Sequence, residues 1–211
     1  MQILVIGASR GIGREVVKAA LAAGHTVRAM ARSAASLAIT HERLEIFPGD
    51  ALSPDDVARA LVGVDAVVQA LGVKGGDLFG PIDLFSRATA VLLPLMARQK
   101  VRRLAAVTGF GAGDCAQAIS PLQRLPFRMV FGRAYDDKSR QEALITASDL
   151  DWTIWRPGVL TNGRASGKAR ALVRPEQWRN GIVARADVAA LIVGHLNDPA
   201  MIHQKPVVIR Y

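Results

Sequence analysis

The sequence predicts an α/β chain: a doubly wound parallel sheet in three layers, α/β/α, folded as a single domain. Three observations carry this. Short runs rich in Val and Ile alternate with amphipathic helical patterns, as parallel strands buried on both faces require. The chain has 211 residues, 50% of them hydrophobic, enough to bury one sizeable core. No linker, low-complexity tract or internal repeat interrupts it.

Taken in order, the first strand is expected at Ile3–Ile6 and the first helix at Gly11–Ala23, ended by Gly24. Strands follow at Thr26–Ala31, Leu44–Phe47 and Ala66–Gln69. Between the last two, Ser53-Pro54-Asp55-Asp56 supplies an N-cap, a first-turn proline and an acid three positions on, so a helix is expected at Asp55–Leu61. A helix at Pro81–Lys100 precedes a strand at Leu104–Thr108. The stretches Gly72–Gly80 and Gly109–Arg133 read as loops on one edge of the sheet. A helix at Arg133–Ala147, a strand at Thr153–Arg156, a helix at Asp187–Asn197 capped by Asp187, and a strand at Val207–Ile209 complete the pattern.

Bulk properties narrow the function classes. The net charge is +9 and the pI about 10.6, but the arginines are scattered and only 5% of residues are aromatic. Stacking platforms for single strands are therefore poorly supplied, and nucleic acid is not an expected partner. The charge reads as solvation plus attraction for a phosphorylated ligand. The longest apolar runs, such as Ala88 to Ala97, fall short of the roughly 20 residues that span a bilayer. No basic segment precedes an apolar one at the N-terminus, and Cys115 is the single cysteine, so a cytoplasmic protein without disulfides is expected. Cys115 reads as a loop thiol. His25, His41, His195 and His203 show no ligand spacing, so no metal is expected. The stretch Gly7-Ala8-Ser9-Arg10-Gly11 matches a hydrolase nucleophile elbow only formally, because the rest of a hydrolase is missing.

That stretch has a better reading. A strand runs into Gly7-Ala8-Ser9-Arg10-Gly11-Ile12-Gly13, and the turn opens a helix. Such a turn offers bare backbone N–H groups and a positive helix end to a pyrophosphate. An acid at the end of the second strand would bind adenosine ribose hydroxyls in an NAD-preferring site. Here Arg32 and Ser33 stand in that region, and Arg10 lies close to the same corner. A guanidinium binds a 2′-phosphate that a carboxylate would repel, so NADP is favoured over NAD. After the third strand, Asp50-Ala51 either meets the adenine amino group or belongs to a helix-capping loop. Ala70, Leu71 and Gly72 are small or apolar residues at the end of the fourth strand, where a cofactor's ribose can lie against the backbone.

With these residues go Val107-Thr108-Gly109, Asp137-Lys138 with Gln141-Glu142, Asp151-Trp152-Thr153-Ile154-Trp155-Arg156-Pro157-Gly158 and Ala186-Asp187-Val188-Ala189. Together they resemble the short-chain dehydrogenase/reductase superfamily along essentially the whole chain. The resemblance is closest to its atypical NAD(P)H-binding members, the NADH-flavin reductase-like, biliverdin reductase B-like and NmrA-like proteins. It implies a Rossmann-type fold over 1–211. It also implies that Pro157, Gly158 and Val159 line the nicotinamide side.

Two departures stand out. The glycine spacing is that of standard short-chain reductases, with Arg10 where atypical members more often have glycine. The superfamily's catalytic Tyr-x-x-x-Lys is not intact: Tyr135 is followed by Lys138 three positions on, with Ser139 at the fourth. Lys138 and Thr108 are candidates for ribose, nicotinamide or substrate contact; their alternatives are a solvated helix lysine and a strand-end threonine.

An intact cofactor turn without the usual acid fits hydride transfer from NADPH to a planar, conjugated small-molecule acceptor such as a flavin or quinone, whose ring system spreads the incoming charge. One alternative is a non-catalytic NADP-binding redox sensor. Another keeps Tyr135 as the acid for an aldehyde, ketone or sugar-like substrate. The acceptor pocket is expected from about 109–133 and 158–180, where Phe110, Phe127, Phe131 and Trp178 mix with arginines. The chain is expected as a monomer or homodimer.

Overall fold

Alternation of side chains along each strand sends Ile3 and Val5 of the first strand to one face of the central sheet and Leu4 and Ile6 to the other. The computed structural model describes residues 1–33, 37–73 and 82–210, leaving aside the side chains of 121–128 and 130. The strands are β1 (Gln2–Ile6), β2 (Thr26–Ala31), β3 (Leu44–Pro48), β4 (Ala66–Gln69), β5 (Arg103–Val107), β6 (Asp151–Pro157), β7 (Val159–Thr161), β8 (Ala169–Leu172), β9 (Ile182–Ala184) and β10 (Val207–Arg210). The helices are α1 (Gly11–Ala22), α2 (Pro54–Ala60), α3 (Leu84–Arg98), α4 (Pro121–Thr146) and α5 (Arg185–Gly194).

Eight strands form one sheet in the order β3-β2-β1-β4-β5-β6-β10-β8. All pairs are parallel except β10 with β8. The chain winds outward from β1 in one direction and from β4 in the other, so the switch point lies between them, where a crevice opens at the strands' carboxyl ends. One face packs Val16, Val17 and Ala20 of α1 and Val188 and Ile192 of α5. The other packs Val57 of α2, Leu92 and Met96 of α3 and Ile145 of α4. The expected three-layer α/β/α fold is thus present.

Several expectations change. The region 109–133 is not one loop: a 3-10 turn spans Gly113–Ala118, and α4 starts at Pro121, not Arg133. Proline fits a first helical turn, and the helix runs through Pro126 and Gly132, which read as breakers. The strands β7, β8 and β9 were not expected, because three or four residues show too little alternation. Asp187 does not cap α5. β9 runs directly into the helix at Arg185, and the buried Asp187 carboxylate instead accepts bonds from Ser166 N and Oγ and Gly167 N. Most of the expected loop Gly72–Gly80, and Pro81, lie outside the described residues.

Other caps follow the sequence. Ser53 Oγ accepts from Asp56 N at 3.3 Å, and Gly24 ends α1 with φ +86°. The start of α3 is capped from a distance. Asp83 makes no side-chain cap, and the fully buried Asp137 of α4 accepts from Phe85 N at 2.8 Å, Ser86 N at 3.3 Å and Ser86 Oγ. Asp137→Ala would strand two amides, so a loss of about 1–3 kcal/mol is expected, read as a Tm several degrees lower.

Candidate functional site

A cleft of about 1190 Å³ follows the carboxyl ends of β1 to β5 and reaches the segment after β6. Its floor is the glycine turn. Gly7 adopts φ +88°, and a Cβ there would lie 2.6 Å from Ala70 O. A Cβ on Gly13 would lie 2.2 Å from Gly7 O, so only glycine lets α1 sit this close to β1. Gly7, Ser9, Arg10, Gly11 and Ile12 line the cleft, while Ala8 and Gly13 are buried behind it.

The helix start fits an anion. Arg14 N is the first amide of α1 to find its partner, Arg10 O at 3.3 Å, so Gly11, Ile12 and Gly13 have no intrahelical acceptor. Arg10 makes no side-chain cap, and no acid stands in the first turn. The α1 N-terminus is therefore free to bind pyrophosphate.

Around it, Arg10 Nη2 donates to Gly72 O at 3.4 Å, and Arg32 and Ser33 are exposed on the cleft at the end of β2. Asp50 serves the capping loop. Its Oδ1 accepts from Leu52 N at 3.0 Å and its N donates to Asp56 Oδ2 at 2.9 Å, yet it still faces the cleft beside Ala51. Ala70, Leu71 and Gly72 line the cleft at the end of β4.

Thr108, Tyr135 and Lys138 meet at the β5 end, with Phe85. Lys138 Nζ donates to Thr108 O at 2.7 Å and lies 4.8 Å from the Tyr135 ring centre and 5.3 Å from that of Phe85. Burial draws its pKa down to about 8, with Glu142 pulling the other way. The Tyr135 phenol is pushed up to about 12 by burial, with Cys115 adding to the rise. Its hydroxyl presses on Gly109, where a Cβ would lie 2.6 Å away. Thr108 Oγ1 donates to Glu142 Oε1 at 2.7 Å, so the hydroxyl proton is committed away from a ligand. Ser139 accepts from Gly113 N and donates to Tyr135 O, which is a structural role.

The sequence profile of the NAD(P)H-binding family matches residues 7–199. The chain belongs to that family. Solved relatives include ChuY, an anaerobilin reductase of Escherichia coli O157:H7, 29% identical with a TM-score of 0.81 over 100% of this chain and 97% of that one. YhfK of Bacillus subtilis, described as an uncharacterized sugar epimerase, is 26% identical over 205 residues, covering 94% of this chain and 89% of its own length. A short-chain dehydrogenase/reductase of Veillonella parvula in complex with NADP shares the fold at a TM-score of 0.83 and 17% identity, over 99% of this chain and 94% of that one. The expected membership of an NAD(P)H-binding family with a Rossmann-type fold is thus borne out.

In this NAD(P)H-binding protein, other expected residues lie elsewhere. Pro157 O accepts from Phe110 N, Gly158 packs on Gly181 O, and Val159 N donates to Gly181 O. These three join the sheet to β7; the cleft wall beyond them is Leu160, Asn162 and Arg185. Phe110 and Trp178 pack in a small cluster with the buried Cys115, and of the four expected aromatics only Phe131 is seen on the cleft. The Phe127 side chain lies outside the description.

A buried ion network was missed. Arg156, fully buried, donates through Nε and Nη2 to Glu142 and through Nη2 to Asp114 at 2.5 Å, with Trp178 stacked 5.0 Å away. Through Glu142 and Thr108 this network braces the carbonyl that holds Lys138. Its one sequence signal was Glu142, a helical turn after Lys138. Among the described residues no cluster of His, Cys, Asp and Glu suits a metal, and no helix is long and apolar enough to cross a membrane.

Proposed function

We propose that the chain is an NADPH-dependent reductase that passes hydride to a planar conjugated acceptor such as a flavin or quinone. The observation that carries this reading is one cleft joining an uncapped, glycine-built helix start to a partly buried lysine. Bound NADPH supplies the hydride. The α1 N-terminus would hold its pyrophosphate, and Arg10 and Arg32 its 2′-phosphate. Lys138 keeps a positive charge beside Phe85 and Tyr135, where charge on a reduced acceptor develops. A conjugated acceptor spreads that charge, so it asks less of an acid than a ketone does. Tyr135, held near 12, is a poor match for ketone reduction. The likeness to ChuY adds anaerobilin to the acceptors worth offering.

NADPH oxidation with FMN, menadione and anaerobilin is the direct test. Turnover with at least one is expected; tight NADP binding with no turnover of any would overturn the reading. Arg32→Ala is expected to weaken NADPH about 10- to 100-fold while leaving NADH unchanged, measured by fluorescence titration. An equal loss for both nucleotides would remove Arg32 from the 2′-phosphate.

A further inference from the structure

One cation of the cleft has no part in the reductase reading so far. β7 and β9 pair in parallel with Thr161 opposite Ala184. The two segments therefore release their next residues, Asn162 and Arg185, side by side, and both line the cleft. Arg185 Nη1 donates to Asn162 Oδ1 at 2.9 Å. Asp187, two residues further along α5, holds the loop at Ser166 and Gly167, so the wall carrying this pair is braced from both sides.

Arg185 differs from the ion-paired arginines of the molecule. Arg28 is paired with Glu45, Arg59 with Asp56, Arg102 with Asp151, and Arg156 with Glu142 and Asp114. Arg185 is aimed by a neutral amide, and among the described residues no carboxylate lies within ion-pairing distance of it. The residue is partly buried while its guanidinium end stays open to the cleft. The Asn162 bond uses only Nη1, which leaves the Nε–Nη2 edge for an oxyanion.

Its place separates it from the corner expected to hold the 2′-phosphate; α5 packs beside α1, and the starts of both helices line the cleft. Arg32 and Asp50 stand at the ends of β2 and β3, at one extreme of the cleft. Thr108 follows β5, and Asn162 follows the β6–β7 segment at the other extreme. Leu160 adds apolar surface at that end.

We infer that Arg185 is an anion anchor for the acceptor, and that the acceptor is a conjugated ring system bearing a carboxylate or phosphate. The inference rests on the reductase reading. The ring lies toward Lys138 and the anionic arm reaches Arg185.

Three flavins with one ring system test it: lumiflavin, without an anionic arm; carboxymethylflavin; and FMN. Wild-type protein is expected to prefer the two anionic flavins in kcat/KM, and the better of them tells carboxylate from phosphate. Arg185→Gln is expected to reduce that preference over lumiflavin about 10- to 100-fold, and Arg185→Lys to restore part of it. An unchanged preference in Arg185→Gln overturns the inference. So does a matching loss of NADPH affinity, which would give Arg185 to the cofactor. If no flavin turns over, the reductase reading loses its flavin arm, and equilibrium binding to NADP-loaded protein decides the anchor separately. FMN bound more tightly than lumiflavin, with the difference lost in Arg185→Gln, supports it; equal binding overturns it.

Discussion

Gly13→Ala is expected to abolish nucleotide binding and to cost about 2–3 kcal/mol of stability. The added Cβ would lie 2.2 Å from Gly7 O, 2.9 Å from Gly7 C and 3.3 Å from Ala8 Cα. All three are backbone atoms, so no side chain can swing aside. The only relief is for α1 to move off β1, which loosens Val16, Val17 and Ala20 from the core and shifts the three amides proposed to hold the pyrophosphate. Thermal denaturation and an NADP titration check both parts. A variant with wild-type Tm and affinity would show that the close approach of helix and strand is not needed. Gly11→Ala is a useful contrast. Its φ is +61°, but nothing lies within 4 Å of the added Cβ, so a smaller loss of stability is expected.

Lys138→Met is expected to lower kcat about 10²- to 10³-fold with a conjugated acceptor, the usual effect of removing one placed charge from a site of this kind. The pH dependence follows from the lowered pKa. The ammonium is the working form, so the rate should fall as pH rises through about 8, and that limb should vanish in the variant. Stability moves the other way. Between about 8 and the ordinary lysine value of 10.5 the unfolded chain holds a proton that the folded chain has shed, so folding is favoured more as pH rises through that window. Below it the buried ammonium weakens the fold at its full cost. A pH–rate profile and denaturation across the same range test the two signs together. A wild-type profile flat through pH 8, with full activity in the variant, would remove Lys138 from the chemistry.

Glu142 and Arg156 show why part of this site is hard to read from residues in order. Glu142 is four positions from Lys138 and visible as a helical neighbour, but its partners Thr108 and Arg156 come from β5 and β6. Trp178 reads as a pocket aromatic, yet its Nε1 donates to Leu172 O and its ring covers Arg156. Pro157, Gly158 and Val159, placed at the nicotinamide by resemblance, are used in joining two pieces of sheet.

By contrast, Gly7, Ser9–Ile12, Arg32, Asp50 and Ala70–Gly72 all line one cleft, with Ala8 and Gly13 packed behind it. Each of these signals is local: a strand's end, a glycine's backbone freedom, a charge one residue past a strand. Such properties depend on near neighbours, and periodicity along the chain reports them. The sequence alone therefore determined the strand alternation, the cofactor turn and the lack of an intact Tyr-x-x-x-Lys. Tertiary structure alone decided that Asp137 caps a helix 52 residues earlier, that Arg156 is neutralised inside the fold, and that Asn162 and Arg185 come to stand together on the cleft wall. Those pairings join residues whose separation along the chain carries no periodic trace. They exist only once the sheet order has brought the strand ends side by side.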